Sequence, residues 1–137
     1  MITGAPPADT ALDASQPVSV ISGQELDRRR AISLGDTVDR MPGVSSTGFG
    51  VAAGRPVIRG QSGPRVSVLE NGLDTLDASS LSPDHAVASD PLSLRRVEVL
   101  RGPATLLYGS GAIGGVANAV SEWIPTRINR QVSGEAL

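Results

Sequence analysis

The sequence predicts an α+β fold: a small mixed sheet of about four strands with short flanking helices and long loops. Several short segments alternate apolar and polar residues, which is the period of a half-buried strand. Between them, Ser or Asp residues stand where helix N-caps are expected. The chain has 16 Gly and 10 Pro among its 137 residues, so elements must be short and turns frequent. Strands mixed with short helices in this way are typical of an α+β domain.

The alternating segments locate the strands. They are expected near residues 17–21, 56–59, 66–70 and 96–101, with a further alternating stretch, "GGVANAVS", at 114–121. The tetrapeptide "QSGP" separates the second predicted strand from the third and resembles the turn of a hairpin. These two strands are therefore expected to be neighbours.

Two short helices are expected between the first and second strands. Ser22 stands three residues before Glu25, the spacing of a capping box. Ser33 is the expected cap of a second helix near 34–41, which Pro42 and Gly43 end. The basic run at 28–30 is interpreted as a solvated helix face.

Composition excludes several classes of function. The formal net charge is −2, from 12 basic and 14 acidic residues, which is not the basic footprint of a nucleic-acid-binding protein. There is no cysteine, so neither disulfides nor thiol chemistry are available. No apolar run approaches the ~18 residues of a membrane helix. One Phe, one Tyr and one Trp leave the core to aliphatic side chains.

The spacing Gly109-x-Gly111-x-x-Gly114 matches the dinucleotide-binding fingerprint. That fingerprint must open a helix, and an acidic residue about twenty positions on must bind the ribose. Here the segment after Gly114 alternates like a strand, and Asn129 stands at the acidic position. We therefore interpret these glycines as residues that let the backbone turn sharply and pack closely.

Four segments in order resemble the plug domain of TonB-dependent outer-membrane receptors. They are "PVSVISGQEL", "SLGDTVDRMPGVSS", "VIRGQSGPRVSVLENG" and "RRVEVLRGPATLLYGSGAIGGVANAV". Near the start, "ITGAP" is similar to the region just after the TonB box, the segment that couples such receptors to their energy source. The resemblance implies a gate that acts by rearrangement, neither an enzyme nor a protein that requires a cofactor.

The resemblance also implies an organisation and a set of partners. Residues 1–15 would be a flexible leader that follows the TonB-box region, residues 16–125 the plug, and residues 126–137 a tail leading to a β-barrel outside this chain. The partners would be that 22-stranded-type barrel, TonB, and a transported metal or metal chelate, with no nucleic acid. The expected location is the bacterial outer membrane, in the barrel lumen facing the periplasm, and the excised domain is expected to be soluble.

The loop "SLSPDHAVASDPL" is similar to one found in a plug subgroup associated with zinc uptake, which makes Asp84 and His85 candidate ligands. Imidazole and carboxylate suit Zn²⁺, which normally takes four ligands. Asp77 and Asp90 are two further candidates, with roles as a turn residue and a helix cap as the alternatives. Barrel residues are expected to complete the site. A lone loop histidine is otherwise most often a surface residue.

Arg59 in "IRG" and Arg101 in "LRG" each end a predicted strand before a glycine. In the family, the matching arginines pair with barrel carboxylates and lock the plug; the alternative is two ordinary surface arginines. Both are expected to be solvated, and near-neutral to mutation, when the domain is alone. Glu98 lies between Val97 and Val99, so it should project to the opposite face, and it is a candidate partner of one of these arginines.

The loops at 45–55 and 73–90 are expected to form the extracellular apex of the plug, where substrate binds. The favoured cargo is zinc, and the alternative cargo is a ferric siderophore or haem. Phe49 is the only aromatic residue of the first loop, which weakly disfavours an organic ligand. An alternative from another class is a free-standing soluble periplasmic binding module. A small enzyme is disfavoured, because no convergent set of titratable residues accompanies the single histidine.

Overall fold

A computed structural model describes residues 17–75, 80–82 and 84–121. The predicted leader (1–15), the predicted tail (126–137) and Asp77 lie outside these residues. The strands are β1 (Val18–Ser22), β2 (Val44–Thr47), β3 (Arg55–Ile58), β4 (Val66–Glu70), β5 (Leu73–Asp74), β6 (Leu94–Arg101) and β7 (Gly115–Ser121). The helices are α1 (Gly23–Arg29), α2 (Leu34–Val38) and α3 (Thr105–Tyr108).

Five of these strands form a mixed sheet in the order β1-β6-β7-β4-β5. The β4–β7 pair is parallel and the other three pairs are antiparallel. The predicted α+β class with a small mixed sheet is therefore confirmed. The sheet has five strands because the alternating stretch after Gly114 forms the central strand β7 and a two-residue strand follows β4.

The predicted hairpin between β3 and β4 is wrong. β3 pairs instead with β2 in a separate two-stranded sheet, with Val44 opposite Ile58. A turn does follow β3, but it joins Ile58 to Gln61 and does not lead into a strand paired with β3. The two residues exchange two main-chain hydrogen bonds of 2.9 Å. Positive φ angles at Arg59 (51°) and Gly60 (76°) make this reversal possible. The chain then enters the main sheet beside β7.

Apolar side chains cover both faces of the sheet at β6 and β7. One face packs against the helical side of the domain, where Leu26, Leu34 and Val38 are almost fully buried together with Val97 and Val99. The other face carries a second apolar cluster that includes Leu69, Leu100, Ala104, Ala112 and Val116. β7 is buried along nearly its whole length, and its sequence, "GVANAVS", is mostly small and apolar. β6, "LRRVEVLR", keeps charged residues toward both ends and Glu98 between two buried valines.

The second helix follows its predicted cap but ends early. The Ser33 hydroxyl accepts a hydrogen bond from the main-chain N–H of Asp36 at 3.1 Å, as an N-cap should. The helix stops at Val38 and not at 41, and Arg40 takes a positive φ of 67°. Met41 is nevertheless buried on the same side as Leu34 and Val38. The apolar period therefore identified the buried face but not the helix end.

The capping box predicted for the first helix is not formed. Ser22 remains extended as the last residue of β1 and makes no side-chain cap hydrogen bond. The chain enters α1 through Gly23, whose φ is +55°. Since strand and helix follow each other without a linker, the serine is used by the sheet and not by the helix.

The basic run is not uniformly a solvated helix face, because Arg30 is half-buried. Its guanidinium donates to the carbonyls of Leu92 and Leu94, the latter at 3.0 Å. It also contacts the carboxylate of Asp27 at 3.1 Å. Arg30 thereby attaches the end of α1 to the turn that leads into β6, which the run of three arginines did not reveal.

A polar network joins the start of α2 to the hairpin of β2 and β3. The carboxylate of Asp36 accepts hydrogen bonds from the hydroxyls of Ser33 and Ser46, each at 2.7 Å. These bonds favour the ionised form, so they hold the pKa of Asp36 below its ordinary value, with Ser46 the larger cause. Gly54 closes over the network, since a Cβ there would collide with both hydroxyls.

We expect Asp36→Asn to destabilise the protein at neutral pH, because the hydroxyls of Ser33 and Ser46 lose a charged acceptor. The loss should be only about 1 kcal/mol, because Asp36 is exposed and solvent screens its charge. A carboxyl group whose pKa is lower in the folded protein than in the unfolded chain stabilises the fold at every pH above its unfolded pKa of about 4. This stabilisation is lost as the pH falls through the lower, folded-state pKa. The difference between wild type and variant should therefore be constant near pH 7 and shrink below about pH 4. Urea unfolding from pH 3 to pH 7 measures it.

Two serine variants control this prediction. Ser46→Ala removes a donor to Asp36 and should give the same pH-dependent loss, without adding to Asp36→Asn. Ser45→Ala changes an exposed neighbour on β2 and should leave the profile of the wild type. A gap between wild type and Asp36→Asn that persists unchanged at pH 3 would contradict the assignment.

Candidate functional site

The glycines of the fingerprint shape a compact turn between β6 and β7. Gly109 ends α3 with a φ of +83°. A Cβ at Gly111 would lie 3.2 Å from the carbonyl oxygen of Pro64, and one at Gly114 would collide with the side chain of Gln61. The structural interpretation of these glycines is confirmed, because strand β7 follows Gly114 where a nucleotide loop would require a helix.

Arg59 and Arg101 converge on the same glycine. A Cβ built on Gly43 would lie 3.8 Å from Cδ of Arg101 and 4.0 Å from Cγ of Arg59. One built on Gly102 would lie 3.5 Å from Nη1 of Arg59. The two cationic side chains, 42 positions apart in the sequence, thus both lie beside the turn that precedes β2. Neither forms an ion pair with a carboxylate within the described ranges.

The two arginines differ in how they are held. Arg59 is exposed, and its guanidinium has no hydrogen-bond partner in the described part of the chain. Arg101 is half-buried; Nη1 donates to the carbonyl of Pro42 at 2.6 Å and Nη2 to the hydroxyl of Ser19 at 2.9 Å. The expectation that both guanidinium groups are solvated is therefore wrong for Arg101, because its guanidinium donates to the Pro42 carbonyl and to the Ser19 hydroxyl. That mutation of either arginine is near-neutral in the isolated domain stays a prediction.

Glu98 faces away from this pair, as its place in the alternation predicted. It is 3 % exposed, and it accepts hydrogen bonds from Nε of Arg96 at 2.7 Å and from the amide of Asn118 at 2.9 Å. Its predicted pairing with Arg59 or Arg101 is wrong, since Arg96 lies two residues away on the same face of β6. Burial and then the charge of Glu98 raise the pKa of Tyr108 above its ordinary value.

Asp84 and His85 form a local pair on an exposed loop. Oδ1 of Asp84 lies 3.0 Å from Nδ1 of His85 and also accepts a hydrogen bond from the hydroxyl of Ser82. The bond from Ser82 is the main reason why the pKa of Asp84 is lowered. About two thirds of the Asp84 side chain and more than half of the His85 side chain are exposed (66 % and 59 %), so both can reach a ligand.

No third ligand joins this pair among the residues that the structure describes. Those residues contain no group of three or more His, Cys, Asp or Glu side chains placed to hold a metal ion. Asp90 accepts a hydrogen bond from the N–H of Leu92 at 3.0 Å and caps the short turn Pro91–Ser93. Its alternative role as a cap is thus realised, whereas Asp77 lies outside the described residues.

Two loops carry exposed apolar side chains, and further ones lie elsewhere in the described residues, among them Ile32, Leu73 and Leu81. Phe49 and Val51 are 81 % and 87 % exposed on the loop between β2 and β3. Leu106, Leu107 and Ile113 are exposed on the turn around α3. Phe49 was among the residues predicted from the sequence, whereas the second group was not. The available signal was the sequence "TLLY" of α3. Such a short helix can bury only one of its faces, and these four residues place apolar side chains on more than one face.

The chain was compared with known families and solved structures. The family described as "TonB-dependent Receptor Plug Domain" matches residues 10–116. No helix within the described residues is long and apolar enough to cross a membrane. Among similar structures, the ferric enterobactin receptor (PfeA) of Pseudomonas aeruginosa, as its G324V mutant, is 27 % identical with a TM-score of 0.64, and the alignment covers 79 % of this chain and 18 % of that one.

Two further structures agree with this match. The siderophore receptor PirA of Acinetobacter baumannii is 32 % identical with a TM-score of 0.60, over 77 % of this chain and 17 % of that one. The ferric yersiniabactin uptake receptor FyuA of Yersinia pestis is 26 % identical with a TM-score of 0.59, over 82 % and 18 %. The alignments thus span less than a fifth of each of these proteins. With a family match over most of its length and the same fold, this chain belongs to the family of TonB-dependent receptor plug domains.

Proposed function

We propose that the chain is the gate of an outer-membrane transporter whose barrel is supplied by the rest of the receptor. It closes the barrel lumen until a pull through the N-terminal segment, delivered by TonB, rearranges it. The observation that carries this proposal is the convergence of Arg59 and Arg101 beside Gly43 without a carboxylate partner among the described residues. Two cations at one surface position are suited to carboxylates on a surrounding wall.

The cargo that we propose is a ferric siderophore. Similar structures are named as receptors for ferric enterobactin, for ferric yersiniabactin and for a siderophore. The exposed Phe49 and Val51 support the same class of cargo, because an organic chelate offers apolar surface that an aqueous metal ion lacks. This choice reverses the preference for zinc that the Asp84–His85 resemblance suggested.

Zinc remains the second candidate on one observation, the exposed pair of Asp84 and His85 at 3.0 Å. The two residues supply one nitrogen and one carboxylate, which is half of a tetrahedral site. Barrel residues would have to provide the rest.

Transport by the whole receptor tests the proposal. Cells that produce it should take up radiolabelled iron as a siderophore complex in a TonB-dependent manner, and deletion of residues 17–121 should leave a channel that conducts ions in a planar bilayer. A receptor that conducts equally with and without these residues would contradict the gating role. Uptake of radiolabelled zinc but not of iron chelates would transfer the cargo to the second candidate.

For the isolated 137-residue chain, we expect zinc binding to be weak and to be abolished by His85→Ala. Two ligands leave half of the coordination sphere to water, and protonated imidazole cannot ligate, so affinity should also fall on acidification. Calorimetric titration with zinc measures this, with Asp27→Ala, on an exposed helix face, as the control. Tight binding that survives both Asp84→Ala and His85→Ala would show that the ion binds elsewhere.

A further inference from the structure

Arg101 connects three separate elements at the end of β6. Its main-chain N–H donates to the carbonyl of Pro17, just before β1, at 3.0 Å. Its guanidinium donates to Ser19 within β1 at 2.9 Å and to Pro42, in the turn before β2, at 2.6 Å. Two of these three bonds therefore exist only while β1 lies against β6.

The strand alternation explains why Ser19 is within reach. Ser19 is opposite Val99 in the antiparallel register. Arg101 is two residues beyond Val99 on the same face, which makes Ser19 and Arg101 diagonal neighbours across the pair. Val99 is fully buried, whereas Arg101 lies at the rim of that face. A small hydroxyl at position 19 fits beside the long side chain and offers it an acceptor.

β1 is an outer strand of the main sheet and the described strand nearest the N terminus. Its strand neighbour in the described part of the chain is β6 alone. The other pairs of the sheet, from β6 to β5, do not include β1. An outer strand can thus separate while the rest of the sheet stays paired, and it does so at lower free energy than a central strand.

We infer that Ser19 is a positioning residue that makes the orientation of the Arg101 guanidinium depend on the seating of β1. When β1 leaves β6, Arg101 loses its bonds to Pro17 and Ser19 and keeps only Pro42. The consequence for transport rests on the proposed function: a pull on the N-terminal segment would release, through Ser19, the arginine that faces the barrel wall. The coupling itself is a property of this chain.

One atom reports this coupling directly. Nε of Arg101 is buried and has no hydrogen-bond acceptor among the described residues. Packing alone therefore shields its proton from water. Release of the guanidinium should therefore expose that proton, whereas a change confined to another part of the sheet should leave it buried.

The experiment follows exchange of the Arg101 Nε proton with water by NMR of the ¹⁵N-arginine-labelled full chain. In Ser19→Ala this exchange should be at least about fivefold faster, because one charge-assisted hydrogen bond is lost. Exchange of the β6 and β7 main-chain amides should not change. Ser19→Thr keeps the hydroxyl and should restore the slow rate. Ser22→Ala, at an exposed position of the same strand, should leave it unchanged.

The wild-type chain provides a second, independent measurement. At low urea concentrations, the Nε proton and the main-chain amides of β1 should exchange with the same urea dependence. Different dependences, an unchanged rate in Ser19→Ala, or an equal rise in Ser22→Ala would each overturn the inference. The proposed contact of Arg101 with the barrel wall is tested separately in the whole receptor. If Arg101→Ala leaves the resting conductance of the receptor unchanged, that contact does not hold the plug in place, while the coupling within this chain stands.

Discussion

Gly115→Ala should strongly destabilise the domain. Gly115 begins β7 with a φ of +153°, a conformation that residues with a side chain rarely adopt. A Cβ there would collide with the main-chain carbonyl of Leu100 and would lie 3.1 Å from two carbons of Ile58. Since Leu100 lies in the neighbouring strand and Ile58 is fully buried, neither can move aside. We expect a loss of about 3 kcal/mol or more, a large part of a typical stability of roughly 5–15 kcal/mol.

Gly50→Ala is the matched control. Gly50 lies on the exposed loop between β2 and β3, and a Cβ there would meet no atom within 4 Å. The same substitution should thus change stability by less than about 0.5 kcal/mol. Urea unfolding followed by circular dichroism measures both variants. If Gly115→Ala has the midpoint of Gly50→Ala, the close packing of β3 against β7 is not as described.

The sequence predicted where the strands lie but not which of them pair. The alternating stretches located four strands within about two residues of their positions, because period two survives wherever a sheet has two distinct faces. Which strands pair is a different matter. The β3–β4 hairpin was wrong because Arg59 and Gly60 reverse the chain within one turn, and the parallel β4–β7 pair joins segments separated by about 45 residues.

The candidate site divides in the same way. Alternation correctly sent Glu98 and Arg101 to opposite faces of β6. It could not show that Arg59 and Arg101 meet at Gly43, since this depends on how the small hairpin sits against the main sheet. It also could not show that Arg101 is bound by Ser19 and Pro42, which requires three distant segments at once. The Ser33 and Asp90 caps could be predicted because the bonded residues are neighbours in sequence. The Ser22 cap could not, because that serine is the last residue of β1.

Glu98→Ala should cause the second large loss. Glu98 is buried, and its two carboxylate oxygens bind Arg96 and Asn118. Asn118 is also buried, and its own oxygen accepts the main-chain N–H of Gly72, so it cannot turn toward another acceptor without breaking that bond. Removing the carboxylate breaks both of these hydrogen bonds, one of which is made by a buried amide. We expect a loss of about 2–4 kcal/mol, reduced from the value for a fully buried pair because Arg96 is partly exposed.

A surface glutamate provides the comparison, and a double-mutant cycle provides the mechanism. Glu25→Ala breaks an exposed ion pair with Arg29 one helical turn away and should cost only about 0.3–0.5 kcal/mol. If the loss at Glu98 arises from its hydrogen bond with the Asn118 amide, Asn118→Ala in the Glu98→Ala background should cost much less than in the wild type. Additive losses would mean that each side chain acts by its own packing, and that the hydrogen bond between them adds little to the free energy of unfolding.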